Sequence, residues 1–123
     1  MKLFIIFGAI NALLAVGLGA FGAHALEGKL EPKYLDVWKT GVMYQMFHAL
    51  GLIVVGILAG NVPASSLLSW SGWFMLIGIV LFSGSLYALS ASGIKVLGAI
   101  TPLGGVAFLI SWLLLIIFAV KHL

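Results

Sequence analysis

The chain has 123 residues, of which 63% are hydrophobic and 7% are charged, whereas soluble domains carry about 25% charged residues. This number of charges is too small to cover a water-exposed surface. We therefore expect lipid to surround most of the chain. The net charge of +3 comes from six lysines against three acids. These lysines are scattered, which argues against a nucleic-acid surface. The absence of cysteine excludes disulfides, thiolate catalysis and cysteine-bound metals.

The first predicted membrane span covers residues 3–23, an apolar run without charge. About 20 helical residues cross a hydrocarbon core of ~30 Å. Lys2 before the run and the Ala23-His24-Ala25 triplet at its end also imitate a signal peptide. The run is longer than the usual apolar stretch of about 7–15 residues in such peptides. We therefore expect this helix to be retained as a span.

A charged segment at residues 27–39 contains all three acids and three of the six lysines. Pro32 suits a helix start, and apolar and charged residues then alternate at a spacing typical of an amphipathic helix. We predict either a short amphipathic segment on the membrane surface or a solvated loop anchored at the interface. Tyr34, Trp38 and Lys39 are the predicted contacts to lipid or to a protein partner.

Three further apolar runs predict spans at residues 41–60, 70–90 and 96–120. Trp70 and Trp73 are expected at the headgroup level, where tryptophan is enriched, and are also predicted interfacial contacts. The predicted fold class is therefore all-α, a four-helix transmembrane bundle forming a single integral membrane domain. An even number of spans places both termini on the same side. Four lysines at the other end against two near the termini favour termini outside the cytoplasm.

Small residues predict how the helices pack. They recur every three or four positions in the first span: Gly8, Ala12, Ala15, Gly19 and Ala23. Close backbone approach at such residues favours helix association in lipid through van der Waals contact. We expect this face to be a seam within the bundle, with an interface in a homo-oligomer or with a membrane protein partner as the alternative.

The helix directions bring most polar side chains of the spans to one end of the bundle. The first and third spans end there, and the second and fourth spans begin there. The predicted polar cluster at this end consists of His24, Tyr44, Gln45, His48, Lys95 and Thr101. Residues 36–50 contribute the largest part of it. Asn11, in the middle of the first span, is expected to bridge two helices.

His48 lies about seven residues into the second span, so ~10 Å deep, where a histidine should face the bundle interior or a wet cavity. It could act as a proton-accepting group, a metal ligand or a haem ligand paired with His24. It could equally be a neutral structural histidine, hydrogen-bonded to Gln45, Tyr44 or a carbonyl. A metal site needs more ligands than two histidines, so we predict neither a metal nor a cofactor.

The sequence contains no motif that indicates catalysis. It shows no Ser-His-Asp order and no paired carboxylates. The letters GxGxxG fit residues 17–22, but they lie inside an apolar span with no preceding strand, so they do not indicate a nucleotide site. We therefore predict that the protein is not an enzyme.

Several blocks of sequence resemble one family of small membrane proteins. The blocks are residues 19–26 (GAFGAHAL), 38–41 (WKTG), 44–45 (YQ), 48–50 (HAL), 82–87 (FSGSLY) and 98–105 (GAITPLGG). On these blocks the chain resembles the YgdD/YwdK-type family of small bacterial inner-membrane proteins, a domain of unknown function with small transmembrane relatives in animals. The resemblance implies a four-span, multi-pass protein of the bacterial inner membrane and implies no activity.

Two functional hypotheses follow. The first is an uncharacterised integral membrane protein with a structural role or a role in binding lipid or a protein partner, using the face that carries Tyr34 and Trp38. The alternative is a small oligomeric transporter or proton-coupled carrier that uses His48 as its membrane-embedded ionisable group, since the predicted spans contain no acid.

Overall fold

The computed structural model describes residues 2–123, and four helical stretches in it are long and apolar enough to cross a membrane. They are Lys2–Leu26, Pro32–Asn61, Ser66–Ser92 and Lys95–His122. No strand occurs in the described part of the chain. The predicted all-α, four-span architecture is confirmed.

Five α-helices, two short π-helical segments and one 3₁₀ turn make up these spans. In chain order they are α1 (Lys2–Phe21), a π turn (Gly22–Leu26), α2 (Pro32–Asn61), α3 (Ser66–Gly78), a π segment (Ile79–Ser83), α4 (Gly84–Ser92), a 3₁₀ turn (Lys95–Ala99) and α5 (Thr101–His122). The third span is thus α3 and α4 joined through the π segment without a break. Such wide turns are often found at functional sites.

The second helix begins at Pro32, well before the predicted start of the span at residue 41. Proline is tolerated at a first helical position because the N–H it lacks would have no partner there. Leu35 and Trp38 are buried, while Asp36 is exposed, so this stretch is amphipathic as its spacing predicts. It is neither a separate surface segment nor a loop, because its apolar face packs on the bundle as the first turns of α2.

The central helix of the bundle is α2. It packs on α1 on one side and on α3 and α4 on the other, while α5 packs on α3. A buried apolar cluster joins these helices, with Phe4 from α1, Leu52 from α2, Met75 from α3 and Phe108 from α5 among its members. Because the four spans alternate in direction, Lys2 and His122 lie at the same end of the bundle.

Two glycines allow neighbouring backbones to approach closely. A Cβ atom added at Gly8 of α1 would lie 2.7 Å from the carbonyl oxygen of Ala49 in α2. One added at Gly104 of α5 would lie 2.7 Å from the Cα atom of Phe82 in the π segment. Backbone atoms cannot rotate away, so only glycine fits here. The Gly8 contact and the burial of Ala15 place this part of the small-residue face of α1 in a seam within the bundle, whereas Ala23 is exposed.

Candidate functional site

His48 lies in the middle of α2 and its side chain is 5% exposed. Its Nδ1 atom is 2.8 Å from the carbonyl oxygen of Tyr44, one turn earlier, and the indole N–H of Trp112 donates to its Nε2 atom at 2.9 Å. A carbonyl can only accept and an indole can only donate. The proton therefore resides on Nδ1, and His48 is a neutral imidazole with both nitrogens hydrogen-bonded.

This arrangement limits what else can bind His48. A metal ion, a haem iron or a second proton reaches Nε2 only after the indole of Trp112 moves away. His24, the second histidine of the haem alternative, lies in the π turn after α1. Its side chain is exposed and makes no hydrogen bond with any residue in 2–123.

Aromatic rings surround His48 on the side that faces α5. Phe108 stacks on the imidazole, with ring centroids 3.5 Å apart and ring planes 11° apart. Tyr44 packs on Phe82 of the π segment with centroids 4.5 Å apart. These rings line a groove of about 450 Å³, which we call the aromatic groove: Tyr44, His48, Phe82, Pro102, Gly105, Val106, Phe108, Leu109 and Trp112.

The aromatic groove opens toward the outside of the bundle and offers few polar atoms. Leu109 on its rim is 71% exposed. His48 and Trp112 use their ring nitrogens on each other and on the Tyr44 carbonyl. The hydroxyl of Tyr44 has no hydrogen-bond partner within the described residues. The groove is therefore an apolar, aromatic surface with one free hydroxyl.

A second polar centre starts from Gln45, three residues before His48, and joins three helices. Asn11 of α1 donates its amide N–H to the carbonyl oxygen of Phe7 at 2.8 Å. The amide of Gln45 donates to Oδ1 of Asn11 at 3.1 Å, and the hydroxyl of Tyr87 in α4 donates to Oε1 of Gln45 at 2.7 Å. We call Asn11, Gln45 and Tyr87 the amide chain. The predicted bridging role of Asn11 is confirmed.

One backbone carbonyl sets the direction of the whole amide chain. Because the Phe7 oxygen can only accept, the nitrogen of the Asn11 amide must face it and the oxygen must face Gln45. The Gln45 amide then has to present its nitrogen to Asn11 and its oxygen to Tyr87.

The amide chain borders another opening in the bundle. This groove, which we call the amide groove, has a volume of about 310 Å³ and lies between α1 and the third span. It is lined by Asn11, Leu18, Gln45, Ile79, Val80, Ser83, Gly84 and Tyr87. The Ser83 hydroxyl donates to the carbonyl oxygen of Gly41 at 2.7 Å.

The remaining members of the predicted polar cluster lie apart from these centres. The hydroxyls of Thr101 and Ser85 are 2.6 Å apart. Lys95 is exposed at the start of the 3₁₀ turn, and its side chain has neither an ion pair nor a hydrogen bond with residues 2–123. The six residues therefore do not form one cluster, because helix direction fixes only the approximate depth of a side chain and not the neighbour it faces.

Trp38 departs most from its predicted position. Its side chain is 7% exposed, not directed at lipid or a partner. The indole N–H donates to the carbonyl oxygen of Leu18 at 2.9 Å, and the ring lies 4.7 Å from that of Tyr87. Gly22 provides the space, since a Cβ there would lie 2.6 Å from Nε1 of the indole. The predicted interfacial contact of Trp38 is wrong because this ring ties α2 to α1.

The other predicted interfacial residues lie nearer the surface. Trp70 is 57% exposed, and Trp73 is 39% exposed with its ring edge-on to Phe4 at 5.5 Å. Lys39 is exposed and Tyr34 is half-buried. Their contacts to lipid or to a partner stay predictions.

Comparison with known proteins decides the family. Residues 18–105 match the model of a family described as a protein of unknown function, DUF423. The chain belongs to the DUF423 family. Among its DUF423-type relatives, the UPF0382 membrane protein YwdK of Bacillus subtilis is 65% identical over 123 residues, which is 100% of both chains. No solved structure matches the chain.

Two staphylococcal relatives agree. A UPF0382 membrane protein of Staphylococcus epidermidis is 54% identical over 121 residues, covering 98% of both chains. One of Staphylococcus saprophyticus is 55% identical over 117 residues, covering 95% of this chain and 96% of the relative. The resemblance to the YwdK type is thus confirmed. With four apolar spans, this DUF423 member is a multi-pass membrane protein of a family of unknown function.

Proposed function

We propose that this DUF423 protein binds a membrane lipid, with an acyl chain lying in the aromatic groove between α2 and α5. One observation carries the proposal: a groove of about 450 Å³ opens from the spanning region, and its one free polar side-chain atom is the Tyr44 hydroxyl. Sites for small molecules are typically 300–1,000 Å³ and mostly apolar, with few polar groups. Acyl chains are the apolar molecules most concentrated around such a groove.

The walls of the aromatic groove are held in place before any lipid arrives. The Trp112 indole is fixed by its hydrogen bond to His48, and the imidazole is fixed by its stack on Phe108. Binding to a pre-formed surface loses less conformational entropy. Tyr44 lies one turn nearer the start of α2 than His48, so its hydroxyl is placed to bond an oxygen at the polar end of the lipid.

The proton-coupled carrier is supported less well by the same geometry. A proton on Nε2 of His48 would face the N–H of Trp112, so every transport cycle would have to break that bond. The three acids of the chain, Glu27, Glu31 and Asp36, lie before α2 or in its first turns. We propose no catalytic activity, because the most reactive side chain within the spans has both nitrogens bonded.

We further infer that the protein lies in the bacterial inner membrane with both termini outside the cytoplasm. The end opposite the termini carries four exposed lysines: Lys29, Lys33, Lys39 and Lys95. Positive residues are in excess on the cytoplasmic side of membrane proteins. A reporter that is active only in the cytoplasm, fused after the last residue, should be silent; an active fusion would reverse the orientation.

Filling the aromatic groove tests the lipid-binding proposal. A Cβ at Gly105 would lie 3.9 Å from the Phe82 ring, an ordinary contact, so the leucine of Gly105→Leu should extend into the groove. Gly17→Leu is the matched control, because a Cβ at Gly17 meets nothing within 4 Å. Native mass spectrometry of the purified full chain with added phosphatidylglycerol measures the bound lipid.

We expect wild type and Gly17→Leu to bind phosphatidylglycerol in the aromatic groove with equal affinity. Gly105→Leu should bind about tenfold more weakly, a loss of ~1.4 kcal/mol. Equal retention by Gly105→Leu and wild type would show that the groove is not the lipid site.

A further inference from the structure

The amide groove has a polar floor although it lies within the membrane-spanning region. Four of its lining residues are polar: Asn11, Gln45, Ser83 and Tyr87. Polar side chains within a span generally face the bundle interior or a cavity and find hydrogen-bond partners there. A polar floor in an open groove therefore indicates a ligand with complementary chemistry.

Counting hydrogen bonds shows which donors on the floor of the amide groove have no acceptor. A side-chain amide has two N–H donors. Asn11 uses one on the Phe7 carbonyl, and Gln45 uses one on Asn11. The hydroxyls of Ser83 and Tyr87 already donate to other groups. The spare donors among the described atoms of the floor are thus one N–H on each amide, and both require an acceptor oxygen.

The amide groove is open toward the lipid, and its lining residues are uncharged. A Cβ at Gly84 would meet nothing within 4 Å, and Val80 is 65% exposed, so the lipid side is open. None of the residues that line the groove is charged. An ion placed there would lack a counter-charge in surroundings where an unpaired charge is costly, so the ligand should be neutral where it meets the floor.

We infer that the amide groove binds a membrane-soluble molecule through a neutral carbonyl oxygen, which accepts the spare N–H groups of Asn11 and Gln45. This site is separate from the aromatic groove and does not depend on the proposed function. Two sources share the chemistry: the ester carbonyl of a diacyl lipid and the ring carbonyl of a quinone.

The test uses the full chain carrying Gly105→Leu, so that the aromatic groove is already filled. Three probes are titrated: diacyl phosphatidylglycerol, its dialkyl ether analogue, which lacks both ester carbonyls, and a short-chain quinone. Ester and ether lipids have the same headgroup and chains, so their difference reports the carbonyl. One or two hydrogen bonds in a membrane protein correspond to about threefold to tenfold in affinity.

Tighter binding of the ester than of the ether lipid, by about threefold to tenfold, supports the site and identifies a lipid. One-to-one binding of the quinone supports it and identifies a quinone. In either case Gly84→Leu should abolish the effect by closing the entrance while leaving the amide chain intact. Asn11→Leu should weaken it, because it removes one of the two spare donors.

Other results overturn the inference. Equal binding of ester and ether lipids together with no quinone binding would show that the floor takes no carbonyl. Binding that survives Gly84→Leu would place the ligand elsewhere. A crosslink from Gly84→Cys to a second copy of the chain would show that protein fills the groove. Loss of phosphatidylglycerol in the single Gly105→Leu variant is measured separately, so the two proposals fail independently.

Discussion

The aromatic groove and the amide groove start from residues only three positions apart on α2, yet they differ in chemistry. His48 has both ring nitrogens bonded, so the groove beside it presents rings and a single free hydroxyl. Gln45 and its partner Asn11 each keep an unused N–H, so the groove beside them presents donors. The comparison shows that the free hydrogen-bonding groups of a residue, and not its polarity, decide what can bind beside it.

The π segment lies between the two grooves and contributes to both. Phe82 lines the aromatic groove, and the next residue, Ser83, lines the amide groove. The close approach of Gly104 positions this segment against α5. One backbone contact is therefore expected to maintain both sites.

Gly104→Ala should have the largest effect, because it acts on both grooves. The added methyl group would lie 2.7 Å from the Cα atom of Phe82, so α5 must move away from the π segment. Overpacking of this kind costs about 1–3 kcal/mol. We expect an unfolding free energy lower by ~2 kcal/mol in mixed micelles, with weaker binding at both sites. Gly105→Ala, whose Cβ lies 3.9 Å from the Phe82 ring, should change stability by less than ~1 kcal/mol; similar losses would refute the backbone contact.

Gln45→Met should affect the amide chain alone. It removes two hydrogen bonds between helices and leaves Tyr87 and Asn11 without these partners. Such bonds contribute about 0.6 kcal/mol each on average and up to ~1.7, so we expect a loss of ~1–2 kcal/mol of unfolding free energy. Asn61→Leu is the control, because the Asn61 amide bonds only to Ile57 within its own helix. Equal costs in the two variants would mean that the amide chain does not join the helices.

Trp112→Phe should affect the hydrogen bonds of His48, and it should lower the unfolding free energy less than Gln45→Met does. It keeps a ring in the groove but removes the donor to Nε2 of His48, a loss of about 0.5–1.5 kcal/mol. Nitrogen NMR of the imidazole should show a protonated Nδ1 and a hydrogen-bonded, unprotonated Nε2 in wild type, with the Nε2 resonance shifted in Trp112→Phe. Trp70→Phe, at an exposed position, should leave the spectrum unchanged. A protonated Nε2 in wild type would contradict the tautomer.

Tyr44→Phe should have the smallest effect. It removes the one free hydroxyl of the aromatic groove and no internal hydrogen bond, so stability should not change. Lipid affinity should fall about twofold to fivefold, as expected for one hydrogen bond at an apolar site. Tyr34→Phe, outside both grooves, serves as the control in the same mass-spectrometric titration. Unchanged affinity in Tyr44→Phe would show that the Tyr44 hydroxyl does not bind the lipid, and would leave only the acyl-chain contact in the proposal.

Composition and hydrophobic run length were sufficient to predict four spans, because the cost of exposing charge or unpaired backbone to lipid leaves few alternatives. The contacts that build the grooves were not predictable in the same way. The bonds of Trp38, Tyr87 and Trp112 join residues 20, 42 and 64 positions apart. They depend on how each helix is rotated about its axis, which run length does not report.

The glycines that lie opposite large aromatic rings are a sequence signal for where those rings are buried. Gly22 makes room for Trp38, and a Cβ at Gly41 would lie 2.9 Å from the ring of Tyr87. Trp38 was predicted at the interface because tryptophan is common there. In this protein Trp38 is instead buried, because its indole finds a hydrogen-bond acceptor in Leu18 and enough space beside Gly22 inside the bundle.

The most direct test of the aromatic groove is photolabelling with phosphatidylglycerol that carries a photoreactive group on its acyl chain. Val106 and Leu109, on the groove, are 53% and 71% exposed, while Val16 and Leu13, on the outer face of α1, are 63% and 72% exposed. If an acyl chain occupies the groove, Val106 and Leu109 should be labelled well above Val16 and Leu13, and Gly105→Leu should remove the excess. Labelling that simply follows exposure, and is unchanged by Gly105→Leu, would contradict lipid binding in the groove.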